Sequence, residues 1–166
     1  MSTNDTRIAI VPGSFDPITL GHVDIVQRAS ALYDKVYVAV MINLDKRYLF
    51  TLSQRKQIAE AAVSHLQNVQ VIASEGMLWE LAKELGACAL VKGYRNDIDL
   101  KYEKSMAEYN SAHYPDAETV LLPANEQYEH ISSTKVRDIL SKRGDLTAWL
   151  PQSVIDEIYK IIPRSF

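Results

Sequence analysis

Apolar and polar positions alternate in blocks along this 166-residue chain. Short runs rich in β-branched residues, at 7–11, 35–42, 69–72, 87–91 and 119–122, read as strands buried on both faces. Between them apolar residues recur at helical spacing. Val23, Ile25, Val26, Ala29 and Leu32 form one stripe; Ile58, Ala61, Ala62 and Leu66 form another; Met77, Leu78, Leu81, Ala82 and Leu85 form a third. Thr51-x-x-Gln54 has the form of a capping box, and Gly86 suits a helix C′ position. A longer helix is predicted from about Ile98 to about His113, whose Tyr102 and Tyr109, like Trp79, suit either a core or an interface. Two more helices follow. One is capped by Ser132 or Ser133 and ends before Gly144; the other has Pro151 in its first turn and turns Val154, Ile155, Ile158 and Tyr159 inward. The pattern predicts an α/β fold: a Rossmann-like, doubly wound, five-stranded parallel sheet with helices on both faces and a C-terminal helical segment. It reads as a single domain over 1–166, with 1–6 a flexible N-terminus.

Composition narrows the function classes. The chain is 47% hydrophobic and 23% charged, as globular domains are, and its net charge of −3 argues against general nucleic-acid binding. No apolar stretch is long enough for a membrane span, and Ser2–Thr6 lacks the apolar core of a signal peptide. Cys88 is the sole cysteine, so no internal disulfide forms and a reducing, cytoplasmic location is expected. Its apolar neighbours, Ala87 and Ala89-Leu90-Val91, predict that it is packed inside.

In doubly wound sheets ligands bind beyond the carboxyl ends of the strands. The residues that follow those ends here suit phosphate. Pro12-Gly13-Ser14-Phe15-Asp16-Pro17-Ile18-Thr19-Leu20-Gly21-His22 leads from the first strand into a helix N-terminus, where backbone N–H groups and the helix dipole favour anions. Gly21 allows close backbone approach, His22 can donate to an α-phosphate, and Ser14 offers a hydroxyl and an N–H. Phe15 supports a base or ribose, or covers the sheet edge; Asp16-Pro17 shapes the turn. Lys46 follows the second strand, and Lys92 and Arg95 follow the fourth: two point charges and one planar fork. Arg47 and Lys104 read as surface residues. Ile131-Ser132-Ser133-Thr134 supplies three consecutive hydroxyls at a second helix start, more than one cap requires, and suits β- and γ-phosphates. Glu103 either accepts from a ribose hydroxyl or pairs with a lysine.

Thr19-x-Gly21-His22 resembles the (H/T)-x-G-H signature of the nucleotidyltransferase superfamily. The segments PGSFDPITLGH (12–22), the lysine before LFTL (46), KGYRNDIDLKYE (92–103) and YEHISST (128–134) resemble the bacterial phosphopantetheine adenylyltransferase family. The resemblance implies transfer of an adenylyl group from ATP to 4′-phosphopantetheine, giving dephospho-coenzyme A and pyrophosphate, with Mg²⁺ carried mainly by the ATP phosphates and not by protein ligands. It implies that Ser14, Lys46, Leu78 and Lys92 contact phosphopantetheine. Ser14, Phe15, His22, Gly93, Tyr94, Arg95, Glu103, Tyr128, Glu129, His130, Ile131, Ser132, Ser133 and Thr134 would surround ATP, with His22, Lys46 and Arg95 catalytic. A hexamer and product inhibition by coenzyme A are further implications. The chain departs from the family in having Lys92 for an arginine, Leu20 for an asparagine and Tyr94 for an aliphatic residue.

Other readings remain at this point. Another adenylyltransferase, acting for example on nicotinamide mononucleotide, is compatible with ISST-x-V-R; Thr19 and the 92–103 block favour the phosphopantetheine branch over it and over a cytidylyltransferase. A non-catalytic nucleotide sensor would be expected to have lost His22, Lys46 or Arg95, and all three are present.

Overall fold

The computed structural model describes residues 5–163, so the expected flexible stretch 1–6 lies largely outside the described residues. Five strands, β1 (Ile8–Gly13), β2 (Lys35–Met41), β3 (Val69–Ser74), β4 (Ala89–Tyr94) and β5 (Glu118–Pro123), alternate with α1 (Leu20–Leu32), α2 (Leu52–Val63), α3 (Leu78–Leu85) and α4 (Asp97–His113). A 3₁₀ turn (Glu126–Tyr128), α5 (Ser133–Ser141) and α6 (Gln152–Ile161) follow. All pairings are parallel, in the order β3-β2-β1-β4-β5, the doubly wound sheet expected from the strand–helix alternation. The chain builds outward from β1 to β3, then returns to lay β4 on the other side of β1. Their boundary is the switch point at which α/β sheets open a crevice.

The inner strands β1, β2 and β4 are apolar on both sides because helices cover both, whereas the edge strands fall short of the two-sided burial expected of them: β3 buries only Val71, and no residue of β5 is fully buried. Ala9 and Val11 of β1, with Val36, Val38 and Val40 of β2, share one core with Ile25 and Val26 of α1, Ile58 of α2, Val136 of α5 and Ile158 of α6. Ile10 and Ala39 point the other way, against Leu81 and Ala82 of α3. Local signals set the helix ends as anticipated. Thr51 and Gln54 form a reciprocal capping box on α2, and Gly86 ends α3 in the left-handed conformation. α4 buries only Asn110 and leaves Tyr102 56% exposed, so its aromatic side chains do not belong to the core of this chain.

Two expectations are corrected. The fourth strand was read as 87–91 with Lys92–Arg95 in a loop, yet Lys92, Gly93 and Tyr94 lie within β4, because they pair with Leu121, Leu122 and Pro123 of β5. Cys88 is exposed, not packed inside. Its backbone is paired on both sides, the N–H donating to Ile8 and the carbonyl accepting from Glu118, but it precedes β4 at the sheet edge opposite the crevice. Among the described residues no helix is long and apolar enough to cross a membrane.

Candidate active site

The crevice at the β1–β4 boundary is a cleft of about 560 Å³. Its wall begins with the α1 cap. Thr19 is the N-cap, and its Oγ1 accepts from the backbone N–H of His22 at 3.3 Å. Reciprocally, Nδ1 of His22 accepts from the Thr19 N–H at 3.0 Å. This is a capping box with histidine where glutamate or glutamine usually stands. With Nδ1 occupied as an acceptor, Nε2 carries the hydrogen and is the ring's donor to the cleft that His22 lines. Burial of the ring, then the charges of Arg95 and Lys92, lower the His22 pKa to about 4. The imidazole is therefore neutral at physiological pH, and the Thr19 N–H fixes its tautomer.

Phe15 forms part of the floor. It has a positive φ of 48° and is only 3% exposed. Its ring meets His22 edge-on at 5.0 Å and lies so close to Gly13 that a Cβ there would approach it to 2.9 Å. Phe15 thus packs over the sheet edge while also lining the cleft, which is compatible with both of its sequence readings.

The expected cations converge on the cleft, each held differently. Lys46 is exposed on the β2–α2 loop, and among the described residues no ion pair neutralises it. Lys92 pairs with Glu103 at 3.2 Å, the lysine pairing that is one of the two readings of Glu103, and both residues line the cleft. Arg95 is held by Asp99, whose Oδ2 accepts from both Nε (2.9 Å) and the backbone N–H (3.1 Å), while Nη1 donates to the Ile131 carbonyl. Burial raises the Asp99 pKa, but the hydrogen bonds and charge of Arg95 outweigh it and the net shift is downward. The guanidinium is thereby oriented before any ligand arrives.

The hydroxyls of the α5 start have structural duties. Ser132 is the N-cap and accepts from Lys135, Ser133 donates to the Pro17 carbonyl at 2.8 Å, and Thr134 accepts from Arg137. Ser133 has thus committed its only hydroxyl hydrogen to protein, and the Lys135 N–H is taken by the cap, leaving the backbone N–H groups of Ser133 and Thr134 and the hydroxyl hydrogens of Ser132 and Thr134 as the helix end's donors. Tyr128, Gly93 and Tyr94 line the cleft; Leu78, Glu129 and His130 do not. His130 instead sets its ring edge-on to Trp149 at 5.2 Å.

Four residues that the sequence reading did not assign complete the site. Arg47 and Arg137 line the cleft and add positive charge. Asp16 is 2% exposed; its carboxylate accepts from the Leu49 and Phe50 N–H groups at 2.8 and 3.0 Å, and its carbonyl accepts from Arg137. Arg55 is 1% exposed and donates to the carbonyls of Ser14 (2.7 Å), Met41 (3.0 Å) and Phe50 (3.3 Å). Burial lowers its pKa. Both residues tie the loop after β1 to the loop after β2. Their partners lie 5 to 121 residues away, and every one of these bonds has a backbone atom at one end, so no local motif announces them.

A neutral histidine, cations and two helix ends gathered at a switch point define a nucleotidyltransferase site, and the cytidylyltransferase-like family profile matches residues 10–139. A phosphopantetheine adenylyltransferase from Streptococcus sanguinis is 42% identical over 156 residues, covering 93% of this chain and 95% of the relative. One from Limosilactobacillus reuteri is 42% identical over 154 residues (93% and 89%), and one from Alkaliphilus metalliredigens is 40% identical over 154 residues (93% and 98%). The chain belongs to the phosphopantetheine adenylyltransferase family and is a nucleotidyltransferase. A Vibrio parahaemolyticus structure assigned as a nicotinate-nucleotide adenylyltransferase superposes with a TM-score of 0.67 over 93% of each chain at 18% identity, a likeness of fold.

Proposed function

We propose that the protein joins ATP to 4′-phosphopantetheine, giving dephospho-coenzyme A and pyrophosphate. The observation that carries the reading is the His22 tautomer, which aims a neutral N–H donor into a cleft ringed by Lys46, Lys92 and Arg95. The acceptor phosphate, with a second pKa of about 6, is largely dianionic at neutral pH and is itself the nucleophile. One of its oxygens bonds to the α-phosphorus as the bond to the β,γ-pyrophosphate breaks, and no proton needs to be removed. What the protein must supply is alignment and dispersal of charge. Ser14, Lys46 and Lys92 hold the acceptor phosphate; Leu78 is given to the pantetheine arm on the family resemblance. His22 donates to the α-phosphate oxygen on which charge accumulates. Arg95 and the first turn of α5 receive the β- and γ-phosphates, with the 128–134 segment and 93–95 around the nucleotide.

Among the described residues no group of three or more His, Cys, Asp or Glu side chains is placed to hold a metal ion. On the family resemblance we assign Mg²⁺ to the ATP phosphates, as part of the substrate, where it offsets their charge. The same reading places the protein in the cytoplasm, makes coenzyme A a competitor for the cleft, and takes the exposed Ile98, Tyr102 and Tyr109 of α4 as a contact between copies in a homo-oligomer, a hexamer by family resemblance.

The test is pyrophosphate release from Mg-ATP with and without 4′-phosphopantetheine, beside a His22→Ala control. Release that requires phosphopantetheine and falls by about a hundredfold or more in the variant is the expected result. Release with nicotinamide mononucleotide instead, or ATP binding without release, overturns the assignment.

A further inference from the structure

Lys46 sits on an exposed loop, yet the reaction proposed above requires its ammonium and the Ser14 hydroxyl to meet one phosphate. A single side chain joins the two. The hydroxyl of Tyr48 accepts from the Asn43 N–H at 2.7 Å, reaches the Asn43 carbonyl at 3.4 Å, and lies 3.4 Å from Ser14 Oγ. The Lys46 N–H donates to that same Asn43 carbonyl at 3.0 Å, so the loop from 43 to 48 closes on the tyrosine hydroxyl. The Tyr48 ring is fixed in turn, with the Arg55 guanidinium stacked 3.9 Å from its centroid and Arg55 anchored on the Ser14 carbonyl. Tyr48 lines the cleft.

We infer that Tyr48 is a positioning residue for the acceptor phosphate, clipping the lysine loop to Ser14 so that both groups address the same anion. The inference rests on the functional reading above. A tyrosine hydroxyl has one hydrogen and two acceptor positions. With the Asn43 N–H supplying one donor, its own hydrogen can turn to Ser14 Oγ once the serine donates to phosphate. The chain then runs from tyrosine to serine to phosphate, each bond polarising the next.

The test is Tyr48→Phe, which keeps the ring over Arg55 and removes only the hydroxyl. The KM for phosphopantetheine is expected to rise about fivefold, what one hydrogen bond carries. The KM for ATP and the thermal midpoint are expected to hold, and amide exchange over 43–48 to quicken. In a background lacking both groups it positions, Ser14→Ala with Lys46→Met, the same change is expected to add nothing. An unchanged acceptor KM overturns the inference even if exchange quickens. Equal rises in both KM values, or a loss of thermal stability, reduce Tyr48 to a structural part. A full fivefold increment persisting without both Ser14 and Lys46 means that the hydroxyl touches substrate directly, which also overturns it. Wild-type protein that shows no phosphopantetheine-dependent turnover sinks the functional reading, and this inference with it.

Discussion

The backbone N–H of Thr19 donates to Nδ1 of His22 at 3.0 Å, so the hydrogen bond that caps α1 also fixes the tautomer of a side chain that lines the cleft. Helix stability and catalytic readiness rest on one contact.

The His22 pKa of about 4 gives a signed prediction. The group is depressed from 6.5, so the unfolded chain takes up a proton first as pH falls. Stability arising from neutral His22 is complete above 6.5, declines as pH falls toward 4, and does not decline further below it. The His22 ring resonances are expected to stay in their neutral position down to about pH 5. The stability advantage of wild type over His22→Gln should shrink between pH 7 and pH 5. The acid limb of kcat/KM should follow the acceptor phosphate, near 6, and not the histidine.

Lys92→Arg restores a planar fork beside Glu103. The KM for phosphopantetheine is expected to fall about fivefold, the worth of roughly 1 kcal/mol for one further hydrogen bond. Steady-state kinetics with ATP saturating measure it; an unchanged or higher value refutes it.

Arg55→Met would leave the Ser14, Met41 and Phe50 carbonyls without their donor. A destabilisation of about 3 kcal/mol or more is expected, since each unsatisfied buried group costs ~1–3 kcal/mol. Arg55→Lys should recover little of it, because one ammonium cannot reproduce the fork or the stack on Tyr48. Denaturant midpoints decide the matter.

Gly93 brings β4 against α1: a Cβ there would stand 2.9 Å from Ile25 Cγ1. Gly93→Ala is expected to cost about 1–3 kcal/mol by overpacking. Trimming the neighbour, in Gly93→Ala with Ile25→Val, should recover part of the loss in a thermal melt. Failure of that rescue would mean that the clash is not its cause.

Much of this was legible in the chain. Two-sided apolar strands and the capping residues Thr51, Gln54 and Gly86 specified the doubly wound sheet, because each signal acts within a few residues. The loops that follow strand ends were legible for the same reason. Cys88 was misread, since apolar neighbours predict burial only where something covers the position. Tyr48 and Arg55 escaped notice, and Asp16 was legible only as part of a turn, because their work is done across loops, on backbone atoms that carry no sequence of their own. Of the three hydroxyls at the start of α5, the fold takes the hydrogen of Ser133, while Ser132 and Thr134 accept and keep theirs to donate.

Asp16 carries a wider consequence. Its carboxylate holds the end of the lysine loop, and its carbonyl holds the arginine of α5. The two sides of the cleft are therefore pinned at one residue, one through its side chain and the other through its main chain, like two leaves hung on a single pin.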